Sequence, residues 1–315
     1  MRPYLCSFAL IAALVFAVPL WAQNAVWPAK THYKTIDVDG HKIFYREAGN
    51  SKNPTILLLH GYPASSHSYR ELIPLLSGRF HVIAPDNLGS GYSDKPDPEG
   101  TVYTFDLLAD VMAGFTDALG LKQYTLYMQD FGAPVGYRLI MKQPERLQAL
   151  IVQNANAYLE GLTTPRRAFF KSAHEDRSPE KWRQLYNITG LQGVRDKQYL
   201  RDVQDRQTIM SPDSWTHDLH FLETGQQRKI QVQLFQDYQN NIDAYPDWQA
   251  FLRKQKPPTL IVWGKNDPAF IYAGAEAYLQ DLPDAQLYLL DAGHFAVEEK
   301  PVDIARHIIR FMGED

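Results

Sequence analysis

The chain has 315 residues, of which 45% are apolar and 22% are charged, and its formal net charge is −4. These values are ordinary for a globular protein with a sizeable core, and the length fits one large domain or a core with an insertion. The acidic balance argues against a nucleic-acid partner, which would require a basic surface.

The first residues differ from the rest of the chain. Arg2 precedes an apolar run over residues 5–20, and small and polar residues follow it. This run is short for a membrane span, so the pattern predicts a cleaved signal peptide over residues 1–22, with a membrane anchor as the alternative. We therefore expect a periplasmic or secreted protein that keeps no stable membrane anchor. Cys6 is the only cysteine, so the mature chain would contain no disulfide.

From residue 35 onwards, short apolar segments alternate with amphipathic ones. Residues 35–38 and 42–47 alternate in polarity around Asp39-Gly40, which is typical of a hairpin at a sheet edge. Continuous apolar runs predict strands that are buried on both faces, and the amphipathic segments predict helices. The predicted strands are 55–59, 80–84, 124–128 and 147–153, and the predicted helices are 66–76, 105–119 and 131–142.

The alternation stops near residue 158 and resumes after Pro257-Pro258. Residues 158–255 are polar, carry helical patterns and show no strong strand, so they predict a helical insertion between core segments 31–157 and 256–315. The last segment predicts strands 259–263 and 286–290 and helices 270–282 and 301–312. Strands that alternate with helices in this way predict an α/β fold with a mostly parallel sheet covered on both faces.

Three polar residues follow the ends of three different predicted strands. They are Asp130, Asp267 and His294, and in a parallel sheet such positions converge at the edge where ligands bind. Asp130 lies in a sharp strand-to-helix turn with Gly132 two residues later, which is the pattern of a nucleophile elbow. Its alternative role is to cap the following helix. A nucleophile, an acid and a histidine in this chain order match the α/β-hydrolase arrangement.

The chain resembles the α/β-hydrolases of the epoxide hydrolase and haloalkane dehalogenase branch, whose nucleophile is an aspartate. The resemblance extends over residues 36–312 and places the insertion where that branch carries its helical cap. It is carried by the following motifs: His60-Gly61-Tyr62-Pro63, the loop 86–93, Gln129-Asp130-Phe131-Gly132, Trp263-Gly264-Lys265-Asn266-Asp267 and Gly293-His294-Phe295.

This resemblance implies a two-step hydrolysis. Asp130 attacks an sp³ carbon and forms an alkyl-enzyme ester, and His294, oriented by Asp267, activates the water that hydrolyses the ester. The backbone N–H groups of Tyr62 and Phe131 would hold the oxyanion. His60, next to this loop, is a candidate for contact with the substrate.

The leaving group distinguishes the members of this branch. An epoxide oxygen needs a proton, usually from two cap tyrosines, whereas a halide needs weak donors, commonly a tryptophan directly after the nucleophile. Phe131 stands at that position here, which favours an epoxide. Tyr238 is the candidate for one acid, although it is equally suited to be a packed cap aromatic. At the expected place of the other tyrosine stands Trp182, whose indole N–H would suit a halide, and Tyr186 is the candidate to replace that tyrosine as the acid.

The sequence thus predicts a hydrolase that opens an epoxide to a diol, and it leaves two alternatives. The first is a haloalkane dehalogenase, and the second is another ester or lactone hydrolase or a ligand-binding pseudoenzyme on the same fold. The expected partners are a small apolar substrate and water, and the oligomeric state is open. No cofactor or metal is expected, because the loop 86–93 lacks a nucleotide-binding pattern and His217 and His220 have no second pair of ligands.

Overall fold

The computed structural model describes residues 29–201, 203 and 210–313. The predicted signal peptide over residues 1–22 lies outside them. Within the described ranges no helix is both long enough and apolar enough to cross a bilayer.

Eight strands form one sheet in the order β1-β2-β4-β3-β5-β6-β7-β8. Strand β2 pairs in antiparallel fashion with β1 on one side and with β4 on the other, and all other pairings are parallel. The mostly parallel sheet expected from the sequence is therefore confirmed. The strands are β1 (His32–Val38), β2 (His41–Ala48), β3 (Thr55–Leu59), β4 (His81–Pro85), β5 (Tyr124–Gln129), β6 (Leu147–Gln153), β7 (Thr259–Gly264) and β8 (Gln286–Leu290).

Helices cover both faces of the sheet. In the described residues the α-helices are α1 (Leu72–Leu76), α2 (Phe105–Ala118), α3 (Gly132–Lys142), α4 (Thr164–Glu175), α5 (Pro179–Ile188), α6 (Pro212–Leu222), α7 (Gln226–Gln255), α8 (Ala273–Ala277), α9 (Ala296–Glu299) and α10 (Pro301–Phe311). The segment between β6 and β7 carries α4 to α7 and a π-helical stretch, Gln192–Tyr199. Its described residues contain no strand, as the polar pattern predicts.

The core consists of two apolar layers because successive strand residues point to opposite faces. In β3, Leu57 and Leu59 belong to the layer under α2 and α3, whereas Ile56 and Leu58 belong to the layer under α1 and α10. All four side chains are fully buried. This two-sided burial explains why the central strands are continuous apolar runs rather than alternating ones.

Two predicted helices are shorter than expected. Residues 66–76 form a 3₁₀ turn, Ser66–Tyr69, followed by α1, because the ring of Pro74 would clash with the Arg70 carbonyl in a continuous helix. Residues 270–282 contain only α8 and one 3₁₀ turn, Tyr278–Gln280.

Candidate active site

Asp130 lies in the turn between β5 and α3 and has a left-handed backbone conformation, with φ of 48°. Aspartate tolerates this region better than most residues. The turn passes very close to neighbouring backbone: a Cβ atom on Gly132 would lie 2.3 Å from the Leu59 carbonyl oxygen. Helix α3 has Phe131 at its N-cap, without a side-chain cap. Asp130 therefore forms an elbow that raises its side chain above the sheet edge, and it does not cap the helix.

The two carboxylate oxygens of Asp130 face different partners. The Tyr62 N–H donates to Oδ1 at 2.6 Å, and His294 Nε2 lies 3.5 Å from Oδ2. Asp130 is only 5% exposed. The carboxylate is thus held between a backbone donor and an imidazole, with little access to bulk water.

His294 is oriented by Asp267. The distance from His294 Nδ1 to Asp267 Oδ2 is 2.7 Å, so Nδ1–H donates to the carboxylate and Nε2 is directed at Asp130. The backbone N–H groups of Ala269 and Phe270 donate to Asp267 Oδ1 at 2.7 and 3.1 Å. These two bonds close a turn over residues 267–270, and the Ile271 N–H then donates to the Gly161 carbonyl oxygen at 3.0 Å. The chain is thus tied to a neighbouring segment, and α8 begins only after this contact.

The charges of Asp130, Asp267 and His294 act on one another and shift the pKa values of Asp267 and His294. Burial alone would lower the pKa of His294, but the carboxylates of Asp267 and Asp130 outweigh it and raise the pKa to about 10. Burial likewise opposes ionisation of Asp267, yet His294, Asn154 and Arg201 keep its pKa below the ordinary value. At neutral pH the resting site therefore contains an imidazolium between two carboxylates.

The predicted oxyanion donors flank the Asp130 carboxylate. Tyr62 already donates to Oδ1, and the Phe131 N–H borders the same space, because a Cβ atom on Gly61 would lie 2.4 Å from Oδ1 and 2.6 Å from Phe131 N. Only a glycine fits at position 61. The small residue lets both N–H groups approach one oxygen, as an oxyanion hole requires.

His60 does not face the carboxylate. Its Nδ1 lies 3.0 Å from the Gly61 carbonyl oxygen, and the Asn87 N–H donates to its Nε2 at 3.0 Å. These bonds assign the ring as neutral, with the proton on Nδ1. His60 therefore fixes the loop that carries Tyr62 and acts as a positioning residue, and its contact with a substrate stays a prediction.

Of the three candidate cap residues, only Tyr238 is close to the nucleophile. Its ring centroid lies 5.2 Å from that of Phe131 and 3.9 Å from that of Phe170, on which it stacks. Burial, the Tyr245 hydroxyl and the Asp130 carboxylate raise the pKa of Tyr238 well above its ordinary value. Its hydroxyl is therefore protonated at neutral pH and able to donate.

The structure does not bring Trp182 and Tyr186 to the triad. Their rings stack on each other at 4.8 Å, and the Arg228 guanidinium covers the Tyr186 ring at 3.7 Å. Trp182 borders a surface pocket of about 360 Å³ together with Pro98 and Lys229. Both rings are partly buried and pack against the apolar core, and their contact with a substrate stays a prediction.

Asn154 and Gln129 complete the site and were not among the expected residues. Asn154 Nδ2 donates to Asp267 Oδ2 at 2.9 Å, and its Oδ1 accepts the Gly264 N–H at 3.0 Å. Gln129 Nε2 lies 3.4 Å from His294 Nε2. Gln129 ends a strand and Asn154 directly follows one. The position after a strand also predicts Asp130, so the same sequence signal was present for these two residues.

Aromatic rings line the space above the triad. Phe131 contacts Phe235 at 5.5 Å, Phe235 contacts Tyr62 at 4.8 Å, and Phe270 lies 5.7 Å from the His294 ring. Such walls favour an apolar substrate body. In the described part of the chain, no three or more His, Cys, Asp or Glu side chains come together as a metal site would require.

Comparisons with known proteins agree with this fold. A family model described as the alpha/beta hydrolase fold matches residues 54–301. An uncharacterised hydrolase of Saccharomyces cerevisiae, YNR064C, is 42% identical over 281 residues, which cover 88% of this chain and 95% of the yeast protein.

Two solved structures share the fold. A putative ancestral haloalkane dehalogenase superposes with a TM-score of 0.75 at 23% identity, covering 89% of this chain and 98% of the other. An epoxide hydrolase from Vigna radiata superposes with a TM-score of 0.67 at 22% identity, covering 90% and 98%. The elbow, the sheet order and the matching family model lead to one assignment: this chain is a hydrolase of the α/β-hydrolase family.

Proposed function

We propose that this protein is an epoxide hydrolase that opens its substrate to a diol through an ester on Asp130. The observation that carries the proposal is the position of this carboxylate. An aspartate, rather than a serine, occupies the elbow, with one oxygen at a backbone donor and the other at an imidazole. A carboxylate nucleophile suits sp³ carbon electrophiles, because attack yields an ester that water can then cleave.

In the first step, an oxygen of Asp130 attacks an epoxide carbon and the ring C–O bond breaks. The departing alkoxide takes a proton from the Tyr238 hydroxyl, and Tyr238 recovers a proton from solvent. The high pKa of Tyr238 keeps it protonated before the reaction. Phe131 and the other rings hold the apolar body of the substrate close to the carboxylate.

In the second step, esterification has removed the negative charge of Asp130, so the pKa of His294 falls. His294 loses its proton to solvent and then accepts one from a water molecule that attacks the carboxyl carbon of Asp130. The N–H groups of Tyr62 and Phe131 stabilise the oxyanion. Collapse of this intermediate releases the diol and restores the Asp130 carboxylate, which has gained one oxygen from water.

Two placements favour an epoxide over a haloalkane. Phe131 supplies no indole N–H next to the nucleophile, and the Trp182 ring stacks on Tyr186 and borders a surface pocket with Pro98 and Lys229. The Tyr238 hydroxyl suits an alkoxide, which needs a full proton, better than a halide, which does not.

The test is intact-mass analysis of the His294→Phe variant after incubation with a panel of epoxides, haloalkanes and lactones. This variant keeps Asp130 but lacks the base, so the ester should accumulate. An adduct with the mass of a whole epoxide, absent from a matched Asp130→Ala variant, supports the proposal. An alkyl adduct without its halogen would assign a dehalogenase, and no adduct with any epoxide would refute the proposal.

A further inference from the structure

Arg166 occupies the first turn of α4, on the side of the cap that faces the triad. Its guanidinium lies over the rings of Phe169 and Phe170, 5.8 Å from each centroid. Phe170 in turn stacks on Tyr238, and Tyr238 packs against Phe131. This series of ring contacts places the guanidinium on the aromatic wall above the nucleophile.

The charge of Arg166 interacts with the catalytic groups. Burial and the neighbouring Arg201 lower the pKa of Arg166, while Asp267 and Asp130 raise it. Arginine stays protonated under these conditions, so a permanent positive charge lies over the rings of Phe169 and Phe170. Arg201 lies 3.9 Å from Asp267 Oδ1, and its charge is offset by that carboxylate.

Arg166 differs from other arginines of low exposure in its polar contacts. Arg70 pairs with Glu298 at 2.7 Å, and Arg138 donates to Asn241 at 2.8 Å. Within residues 29–201, 203 and 210–313, the Arg166 guanidinium makes only the two ring contacts and neither a hydrogen bond nor an ion pair. Arg166 is half-buried and its guanidinium nitrogens are not among the fully buried ones, so its N–H groups are available to an anionic ligand.

The charges around the nucleophile also favour an anion. Three cations, Arg166, Arg201 and the His294 imidazolium, face the carboxylates of Asp130 and Asp267. The planar fork of a guanidinium binds a carboxylate through two parallel N–H bonds, and stacking on aromatic faces keeps the fork in place. The aromatic wall would hold an apolar chain between the carboxylate and the reacting carbon.

We propose that Arg166 binds a carboxylate of the substrate, so that the enzyme selects epoxy acids over neutral epoxides. This inference rests on the proposed epoxide hydrolysis, and it replaces the simple apolar substrate expected from the sequence with an amphipathic one. Arg166 acts as a specificity-determining residue, and the bond-breaking steps stay with Asp130, His294 and Tyr238.

The test compares terminal epoxy acids of three chain lengths with their primary amides. In the wild type, kcat/KM should favour the acid at the chain length that spans Arg166 and Asp130. Arg166→Met should lower kcat/KM for that acid about tenfold to a hundredfold, mainly through KM, and leave the amide within about threefold. Arg166→Lys should fall between the two, because it keeps the charge but loses the fork.

Arg167→Met is the matched control, since Arg167 is the exposed neighbour on the same helix. Turnover of the amide by the Arg166 variant shows in the same preparation that the protein is folded. Equal losses for acid and amide would overturn the proposal and indicate that Arg166 supports the fold or the departing alkoxide. A wild type without preference for the acid would also overturn it.

A binding measurement tests the carboxylate site independently of epoxide hydrolysis. Calorimetric titration with the saturated carboxylic acid of the same length should show binding to the wild type and clearly weaker binding to Arg166→Met. If the wild type cleaves neither the acids nor the amides but binds the carboxylate through Arg166, epoxide hydrolysis fails and the carboxylate site stands. If no binding difference is found, the carboxylate site fails.

Discussion

The proposed reaction requires His294 to change from an imidazolium to a base when Asp130 becomes an ester. The variant Asp130→Asn imitates this change, because an amide has nearly the same shape as the carboxylate but carries no charge. We expect the pKa of His294 to fall strongly in this variant, because only one of the two carboxylates that raise this pKa is left.

The magnitude follows from the distance between the two groups. Unit charges 3.5 Å apart, as His294 Nε2 and Asp130 Oδ2 are, interact by about 4.7 kcal/mol at an effective dielectric constant of about 20. This energy corresponds to about 3.5 pKa units. A pKa of about 10 in the resting enzyme would therefore fall to about 6.5 when Asp130 is neutral. That value suits a general base at neutral pH.

The assay is an NMR titration of the histidine ring signals, with the His294 signal assigned from its absence in a His294→Gln variant. Asp291→Asn is the control, because Asp291 is an exposed carboxylate that pairs with Lys265 and not with His294. Intact mass checks that the introduced amide has not hydrolysed back to the carboxylate during the titration. A His294 pKa that changes by less than about one unit in Asp130→Asn would refute the electrostatic argument.

Two further substitutions test the geometry of the site. Gly61→Ala would place a methyl group 2.4 Å from the Asp130 Cβ. We expect the free energy of unfolding to fall by about 1–3 kcal/mol, and we expect ester formation to be lost. Urea unfolding measures the first effect and single-turnover mass spectrometry the second, and normal ester formation would contradict the reasoning. Asn154→Leu removes the donor at 2.9 Å from Asp267 Oδ2 and the acceptor of the Gly264 N–H. It should lower the free energy of unfolding by about 2–4 kcal/mol, and an unchanged urea midpoint and kcat would show that Asn154 does not hold Asp267.

The elements of the sheet are predictable because their signals are local. A strand buried on both faces needs an uninterrupted apolar run, and Thr55–Leu59 and Thr259–Gly264 show such runs directly. The bounds of the two shorter helices are less predictable, because an amphipathic pattern continues across both breaks. The first break lies just before α1 and is caused by Pro74 inside it. The second lies before α8, where the Ile271 N–H donates to the distant Gly161 carbonyl oxygen, and this bond depends on the fold.

The cap residues show the limit of a local pattern. The position of Trp182 and Tyr186 in the insertion does not fix their surroundings, because a helix presents several faces and contact with α7 decides which face turns inward. No sequence signal singles out Arg166, because the exposed Arg167 next to it is the same type of residue. Only the packing of α4 against α7 brings its guanidinium over the aromatic wall.

The sequence by itself determined the α/β class, the elbow at Asp130 and the three post-strand positions that meet at one sheet edge. These follow from short-range rules, because parallel strands carry their carboxyl ends to a common edge whatever surrounds them. The tertiary structure alone decided that Asn154 supports Asp267, that His60 fixes a loop, and that the Arg166 guanidinium lies over the rings of Phe169 and Phe170. Those roles depend on which side chains are excluded from water together, and that is a property of packing between distant segments.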